Sequence, residues 1–246
     1  MQKPTTPAPR AIDPHLVRRA HERGARETEW LRARFSFSFG DYQDPNHMHW
    51  GALRALNEDW VAPGGGFARH GHRDIEALTI PLEGAIHHTD DLGHDFVFGP
   101  GQLLHMAAGT GITHTEVNAS ATEPERHLQI WFYPRKRGTP PRCELLDIRA
   151  ARQGHDWRVI ASPDGRDGSA SIGQNALLMV GRVRGEEPLR YALDEHRLGY
   201  LHVVSGEIEV EPKLRLRAGD GLRFTHRETL ALRAVLPDPE VLLFDL

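Results

Sequence analysis

The sequence predicts an all-β protein built as two antiparallel barrel-like halves in tandem, with few short helices. Three observations carry that expectation. From residue 35 to residue 133 short apolar stretches alternate with Gly, Asp, Asn and Pro, as in antiparallel sandwiches and barrels. Residues 134–141, four of them proline or glycine and three of them Arg135, Lys136 and Arg137, break the pattern. The same alternation then returns in residues 201–210 and 216–221. The break divides the chain into halves at 1–135 and 136–246.

Taken in order, the proline-rich opening residues should be loosely draped. Residues 13–33, rich in Arg, Glu and Ala, suggest a helix, which Gly24 interrupts. Ala77-Leu78-Thr79-Ile80, Phe96-Val97-Phe98 and Leu128-Gln129-Ile130-Trp131-Phe132 have the length and residue types of strands. The basic run at 135–137 is too short, and too close to prolines, for a phosphate site and reads as a solvated linker.

Composition narrows the function classes. At 246 residues with 39% hydrophobic content, the chain can bury one large or two ordinary cores. A formal net charge of -4 supplies no basic stripe, so direct nucleic-acid binding is not expected. The single Cys143 excludes an intrachain disulfide and reads as a small linker or packing residue. The N-terminal residues lack the apolar core of a signal peptide, and no run approaches the roughly 20 apolar residues that span a bilayer. A soluble, cytoplasmic, non-membrane protein is the expectation.

Two spaced clusters carry the chemistry: His70-Gly71-His72 and His114-Thr115-Glu116. On a strand, side chains two apart share a face, so each cluster presents two metal-binding groups side by side. A lone His-x-His is weak, since histidines also pack on half-exposed strands. The second cluster changes the weight, giving three imidazoles and one carboxylate without a thiolate. Such nitrogen and oxygen donors suit iron, nickel, copper, manganese, cobalt or zinc.

The framing of the clusters resembles a known family. Gly64-x5-His70-x-His72 followed by Gly84 is similar to the first cupin motif, and Gly111-x2-His114-x3-Asn118 to the end of the second. Gly109 stands where many cupins have proline, Gly101 is set two residues further back than usual, and Ala77 occupies the usual first-motif glutamate position. The wording His70-x-His72-Arg73-x-x-Glu76, Leu82-Glu83-Gly84 and Ala108-Gly109-x-Gly111-Ile112-x-His114-x-Glu116 resembles the bacterial branch of the pirin family of bicupins, over nearly the whole chain. That resemblance implies two cupin (jelly-roll β-barrel) domains, the second degenerate and without a metal. It also implies strand and turn rather than helix around Gly24.

For the site, the resemblance implies His70, His72, His114 and Glu116 as ligands of a divalent metal, most simply Fe(II). It implies quercetin 2,3-dioxygenase activity, in which the deprotonated 3-hydroxyl of a flavonol meets the metal and O2 opens the heterocycle with loss of carbon monoxide, Glu116 doubling as the base. An alternative implied by eukaryotic relatives is a redox-sensing regulator of a protein partner, and a third reading is another enol dioxygenation or an isomerisation. Two departures are local: Gly71 replaces the usual proline between the histidines, and Pro81 replaces an aromatic residue, favouring an edge or a bulge.

Other residues compete less well. Glu76 shares parity with His70 and His72 and reaches the metal if the strand is regular; a hydrogen bond from it to a ligand histidine is the other possibility. His47 and His49 have ligand spacing but lie in a loop-like segment, as second-layer or cavity-lining candidates. His87 and His88 point to opposite faces and read as surface or packing residues, while His94, His105 and the second-half His202 read as structural. Phe37, Phe39, Tyr42 and Trp50 are candidates for lining the entrance to a flat substrate, or for core packing.

Overall fold

The computed structural model describes residues 16–210, 213–225 and 229–246; the opening residues expected to be draped, and residues 13–15, lie outside them. The first half runs β1 (Val17–Arg18), β2 (Gly24–Glu27), β3 (Leu31–Phe35), β4 (Leu53–Val61), β5 (Gly66–His72), β6 (Glu76–Glu83), β7 (Ile86–Asp90), β8 (Asp95–Phe98), β9 (Gln102–Ala107), β10 (Ile112–Asn118) and β11 (Glu125–Phe132). Then come β12 (Arg142–Asp147), β13 (Arg158–Ser162), β14 (Ala170–Ser171), β15 (Leu177–Arg182), β16 (Leu189–Ala192) and β17 (Leu198–Ser205). The chain closes with β18 (Glu207–Val210), β19 (Leu214–Arg217), β20 (Gly221–Thr225), β21 (Thr229–Ala234) and β22 (Glu240–Asp245).

These strands make two sandwiches, each of a seven-stranded and a four-stranded sheet. In the first, β12-β9-β6-β11-β4-β3-β2 faces β5-β10-β7-β8; in the second, β1-β20-β17-β22-β15-β13-β14 faces β16-β21-β18-β19. The halves exchange strands: β1 pairs with β20, whereas β12 pairs with β9. The all-β expectation holds, and among the described residues helix is limited to short 3₁₀ turns such as Ala20–Glu22. No helix among the described residues is long and apolar enough to cross a membrane.

The helix suggested over residues 13–33 does not form where the chain is described. Its Arg- and Glu-rich text is instead an edge hairpin, β2 against β3, with alternating exposure in β3. A solvent-facing edge strand takes charged residues on one face, and here that pattern overrode helix propensity.

Period-2 alternation assigns every face. On β11, Leu128, Ile130 and Phe132 join β6 residues Leu78 and Ile80 in a core shared with Leu178, Val180, Leu242 and Phe244 of the second half. The two large sheets therefore pack back to back through apolar side chains. The other face of the same strands, with Thr79, Gln129 and Trp131, looks into the first sandwich. A second core, including Leu201, Val203 and Leu232, fills the second sandwich.

Two departures acquire causes. Gly109 has φ +47°, out of reach of proline's fixed φ, and a Cβ there would run into the Thr139 carbonyl. Pro81 lies opposite His127, where the β6–β11 register shifts, so the proline sits at an irregularity as expected. Gly71, by contrast, has open surroundings, its nearest would-be Cβ neighbour being 3.7 Å away. In urea denaturation, Gly109→Ala should lose about 1–3 kcal/mol of stability, whereas Gly71→Ala should be neutral or gain up to about 1 kcal/mol; equal effects would contradict this account.

Candidate metal centre

The site is built by register in the four-stranded sheet. His114 of β10 lies opposite His70 of β5 and opposite Asp90 of β7, and Glu116 lies opposite His88. Residues directly opposite share a face, so His70, His72, His114, Glu116, His88 and Asp90 all look inward. The β5–β10 register slips between His114 and Glu116, putting Phe67 opposite Glu116. That bulge lets both Phe67 and His70 face inward although they are three residues apart.

His70, His72 and His114 each offer a ring nitrogen, the three lying within 4.8 Å of one another, a spacing one ion could bridge. Their ring centroids are 4.4 to 5.0 Å apart. His70 Nδ1 lies 2.8 Å from the Ala68 carbonyl oxygen, to which it must donate, leaving Nε2 bare. His114 is buried, and its Nε2 has no hydrogen-bond partner. Burial, with smaller contributions from neighbouring imidazoles, pulls the His114 pKa down to about 4, so the ring is neutral at pH 7. Burial and the proximity of His70 lower His72 as well.

Glu116 lines the same small cavity as His72 and His114, with Thr79, Gln129 and Trp131 across it. Gln129 Nε2 donates to its Oε2 at 3.0 Å, and the Thr79 hydroxyl lies 3.1 Å from its Oε1. Burial raises its pKa, but the imidazoles, His114 first and then His127 and His88, together with Thr79, outweigh that and lower it overall. The cavity is about 10 Å³, room for one water-sized occupant. Neutral imidazoles and an ionised carboxylate are the protonation states a divalent ion needs, and the unpartnered Nε2 makes this donor set a fitting one.

A larger cavity of about 380 Å³ lies alongside, lined among others by Phe35, Phe39, Tyr42, Phe67 and Asp59. Its size falls in the range of small-molecule sites. Phe39 packs on Trp131 at 4.9 Å, Trp131 on His72 at 5.0 Å, and Phe67 lies 6.3 Å from His70. The entrance candidates thus divide: Phe39 and Tyr42 line this cavity, while Phe37 is buried against Tyr200 between the halves and Trp50 donates to the Gly199 carbonyl. Phe37 lies past the end of β3, so its shared parity with Phe35 and Phe39 no longer puts it on their face. On the cavity wall, Asp59 is pushed up to about 6 by burial, and neighbouring His127, held by Glu125 at 3.0 Å, is raised to about 9 as its carboxylate neighbours outweigh burial.

Several sequence readings need correction. Glu76 reaches neither ion nor ligand: Asp74, at φ +50°, turns the chain between β5 and β6, which lie in different sheets, and Glu76 bonds His105 at 2.7 Å. His105 is therefore a buried structural residue, as read, bonded to Glu76 and Glu144. His88 is no surface residue but is fully buried beside His114, and with Asp90 and Cys143 it forms a second close group. Cys143 lies in β12, not a linker, and contacts His88 at 3.7 Å; burial pushes its thiol pKa up. His88 and Asp90 were legible as a His-x-Asp pair on one strand face.

His47 and His49 sit in the loop between β3 and β4, His47 against Asp44 at 2.9 Å and His49 against the Gly51 carbonyl, so neither faces the three-histidine group. His202 is structural: Tyr200 and Val204, two residues either side, belong to the core between the halves, so His202 points away from its own sandwich. Among the described residues, no group of potential metal ligands occurs in the second half.

Comparison with known proteins agrees with this architecture. The family model described as Pirin matches residues 17–132, and that described as quercetinase C-terminal cupin domain matches residues 159–246. The chain is 37% identical over 230 residues to "Quercetin 2,3-dioxygenase" of Escherichia coli (strain K12), covering 94% of this chain and 97% of the relative. It is 36% identical to "Pirin-like protein" of Caulobacter vibrioides, covering 90% and 95%. The structure of bacterial pirin YhhW from Escherichia coli in complex with nickel(II) superposes with a TM-score of 0.88 at 36% identity, covering 94% of this chain and 97% of that one. The chain therefore belongs to the pirin family, with a tandem of two cupin domains.

Proposed function

We propose that the protein is a metal-dependent dioxygenase that cleaves a flavonol such as quercetin, with His70, His72, His114 and Glu116 as ligands in the half 1–135 and no metal in the half 136–246. The observation that carries this reading is the close group of three imidazoles, one nitrogen lacking any partner, with the Glu116 carboxylate on the wall of the small cavity that His72 and His114 line, beside a larger aromatic-walled cavity sized for a flat molecule. The name of the Escherichia coli relative and the nickel(II) complex of bacterial pirin YhhW support it. Ferrous iron is the ion we assign; the donors also accept nickel, copper, manganese, cobalt and zinc.

When bound, the metal supplies Lewis acidity toward an enolate and a centre for reaction with O2. The protein does the rest. Phe39, Tyr42 and Phe67 hold a planar ligand by their faces. Glu116, kept ionised and aimed by Gln129 and Thr79, takes the proton of the 3-hydroxyl. His114 stays neutral through burial and keeps its lone pair. The flavonol and O2 then give a ring-opened product and carbon monoxide.

The test is oxygen-dependent loss of quercetin, with carbon monoxide detected, by ferrous-reconstituted protein against His70→Ala. Metal-loaded protein that releases no carbon monoxide would sink the proposal. His114→Ala should lose most of its metal. Glu116→Gln should keep more metal than His114→Ala yet turn over roughly 10²–10⁴-fold more slowly, read by metal analysis beside single-turnover kinetics. Phe39→Ala should raise KM for quercetin roughly 2–10-fold at unchanged metal content, a stacking loss of roughly 0.5–1.5 kcal/mol.

A further inference from the structure

We propose that Asp90 and His88 form a relay that fixes the tautomer of His114 and so keeps the His114 Nε2 lone pair free for a metal ion. The proposal rests on the reading of His114 as a ligand. It begins at Asp90, whose Oδ1 accepts the backbone N–H groups of Leu92 and His94, each at 3.0 Å. The His94 ring approaches both carboxylate oxygens, and His88 Nε2 lies 3.1 Å from Oδ2. A carboxylate only accepts, so the proton between them belongs to His88 Nε2. Cys143 Sγ, 3.7 Å from the same nitrogen, is a weaker second neighbour.

In neutral His88 the other nitrogen, Nδ1, is then a bare acceptor. It faces His114 Nδ1 at 3.4 Å, with both residues buried. Two facing ring nitrogens bond only if one carries the proton, and His88 has already placed its own at Nε2. His114 must therefore donate from Nδ1, which leaves Nε2 without a hydrogen, and that is the buried atom with no partner in the protein. The sequence of bonds, carboxylate to imidazole to imidazole, is longer by one ring than the usual carboxylate–histidine–metal arrangement. Asp90 and His88 are positioning residues: Asp90 acts through His88, and His88, which also lies within 4.8 Å of Glu116, acts through its bond to His114.

Asp90→Asn tests the direction of the relay. The backbone N–H groups of Leu92 and His94 keep the amide oxygen on their side, so the amide nitrogen faces His88. An N–H there forces the His88 proton to Nδ1 and the His114 proton to Nε2. In metal-free protein, long-range ¹⁵N–¹H spectra should show the Nδ1–H tautomer of His114 in the wild type and Nε2–H in the variant. Nickel affinity by chelator competition should fall 10–100-fold. Asp95→Asn, which removes only the exposed partner of His87, should change neither reading.

A wild-type His114 carrying its proton on Nε2 overturns the relay, and that spectrum suffices even where the variant does not fold. Folded Asp90→Asn with unchanged nickel affinity overturns it too. A wild type with the expected tautomer but no nickel binding overturns the metal reading of the site, and with it the purpose assigned to the relay.

Discussion

Cross-strand register in the small sheet of the first sandwich is the constraint on which the site depends. With a side-chain period of two, sliding β10 by one residue against β5 and β7 would turn His114 and Glu116 out of the sandwich. Their places would pass to Thr113, Thr115 and Val117, which offer no comparable donors. The bulge beside His114 works within the same constraint, adding Phe67 to the inner face without losing His70. What fixes the register is apolar: Ile86 of β7, Phe98 of β8 and Ile112 of β10 anchor the same face in the core with Leu104 and Met106 of the opposing sheet.

The second half supports the first from its outer side. Its large sheet covers the outer face of β4, β6 and β11 with Leu178, Val180, Tyr200 and Phe244, so those strands are buried on both faces. Charges at this seam are paired, Glu58 of β4 receiving Arg23 at 2.8 Å as well as Arg126. A strand fixed on its outer side can hold polar groups on its inner side at defined positions, which is what Thr79 and Gln129 need if they are to orient Glu116. The exchange of β1 and β12 between sandwiches ties the two halves together further.

Much of this was legible in the sequence because the informative signals were local. His-x-His and His-x-Glu each place two groups on one strand face whatever the partner strands do, and the sequence anticipated the close approach of His70, His72 and His114. Pro81 marked an irregularity for a reason internal to proline. Glu76 misled because parity was counted through Asp74, where the chain leaves one sheet for the other; no periodicity crosses such a turn. His88, Asp90 and Cys143 were passed over because their meaning lies in register between strands far apart in sequence. The Arg- and Glu-rich segment before Phe35 misled by composition, since a charged edge strand and a solvent-facing helix draw on the same residues.

Charge on the inner face of the first sandwich ties the two cavities together. Asp59 of β4 and Glu125 of β11, on neighbouring strands, and Glu116 of β10, in the opposing sheet, share the field of one imidazolium, His127. Counted formally, these three carboxylates against one cation leave two negative charges in a largely buried space, and the buried Asp90 on the same inner face is a fourth carboxylate. Uncompensated buried charge costs several kcal/mol, and burial here pushes the Asp59 pKa up to about 6. A divalent cation held by the three-histidine group would offset this excess as well. The donor geometry and the charge balance are independent properties of these residues, and both fit the same kind of occupant.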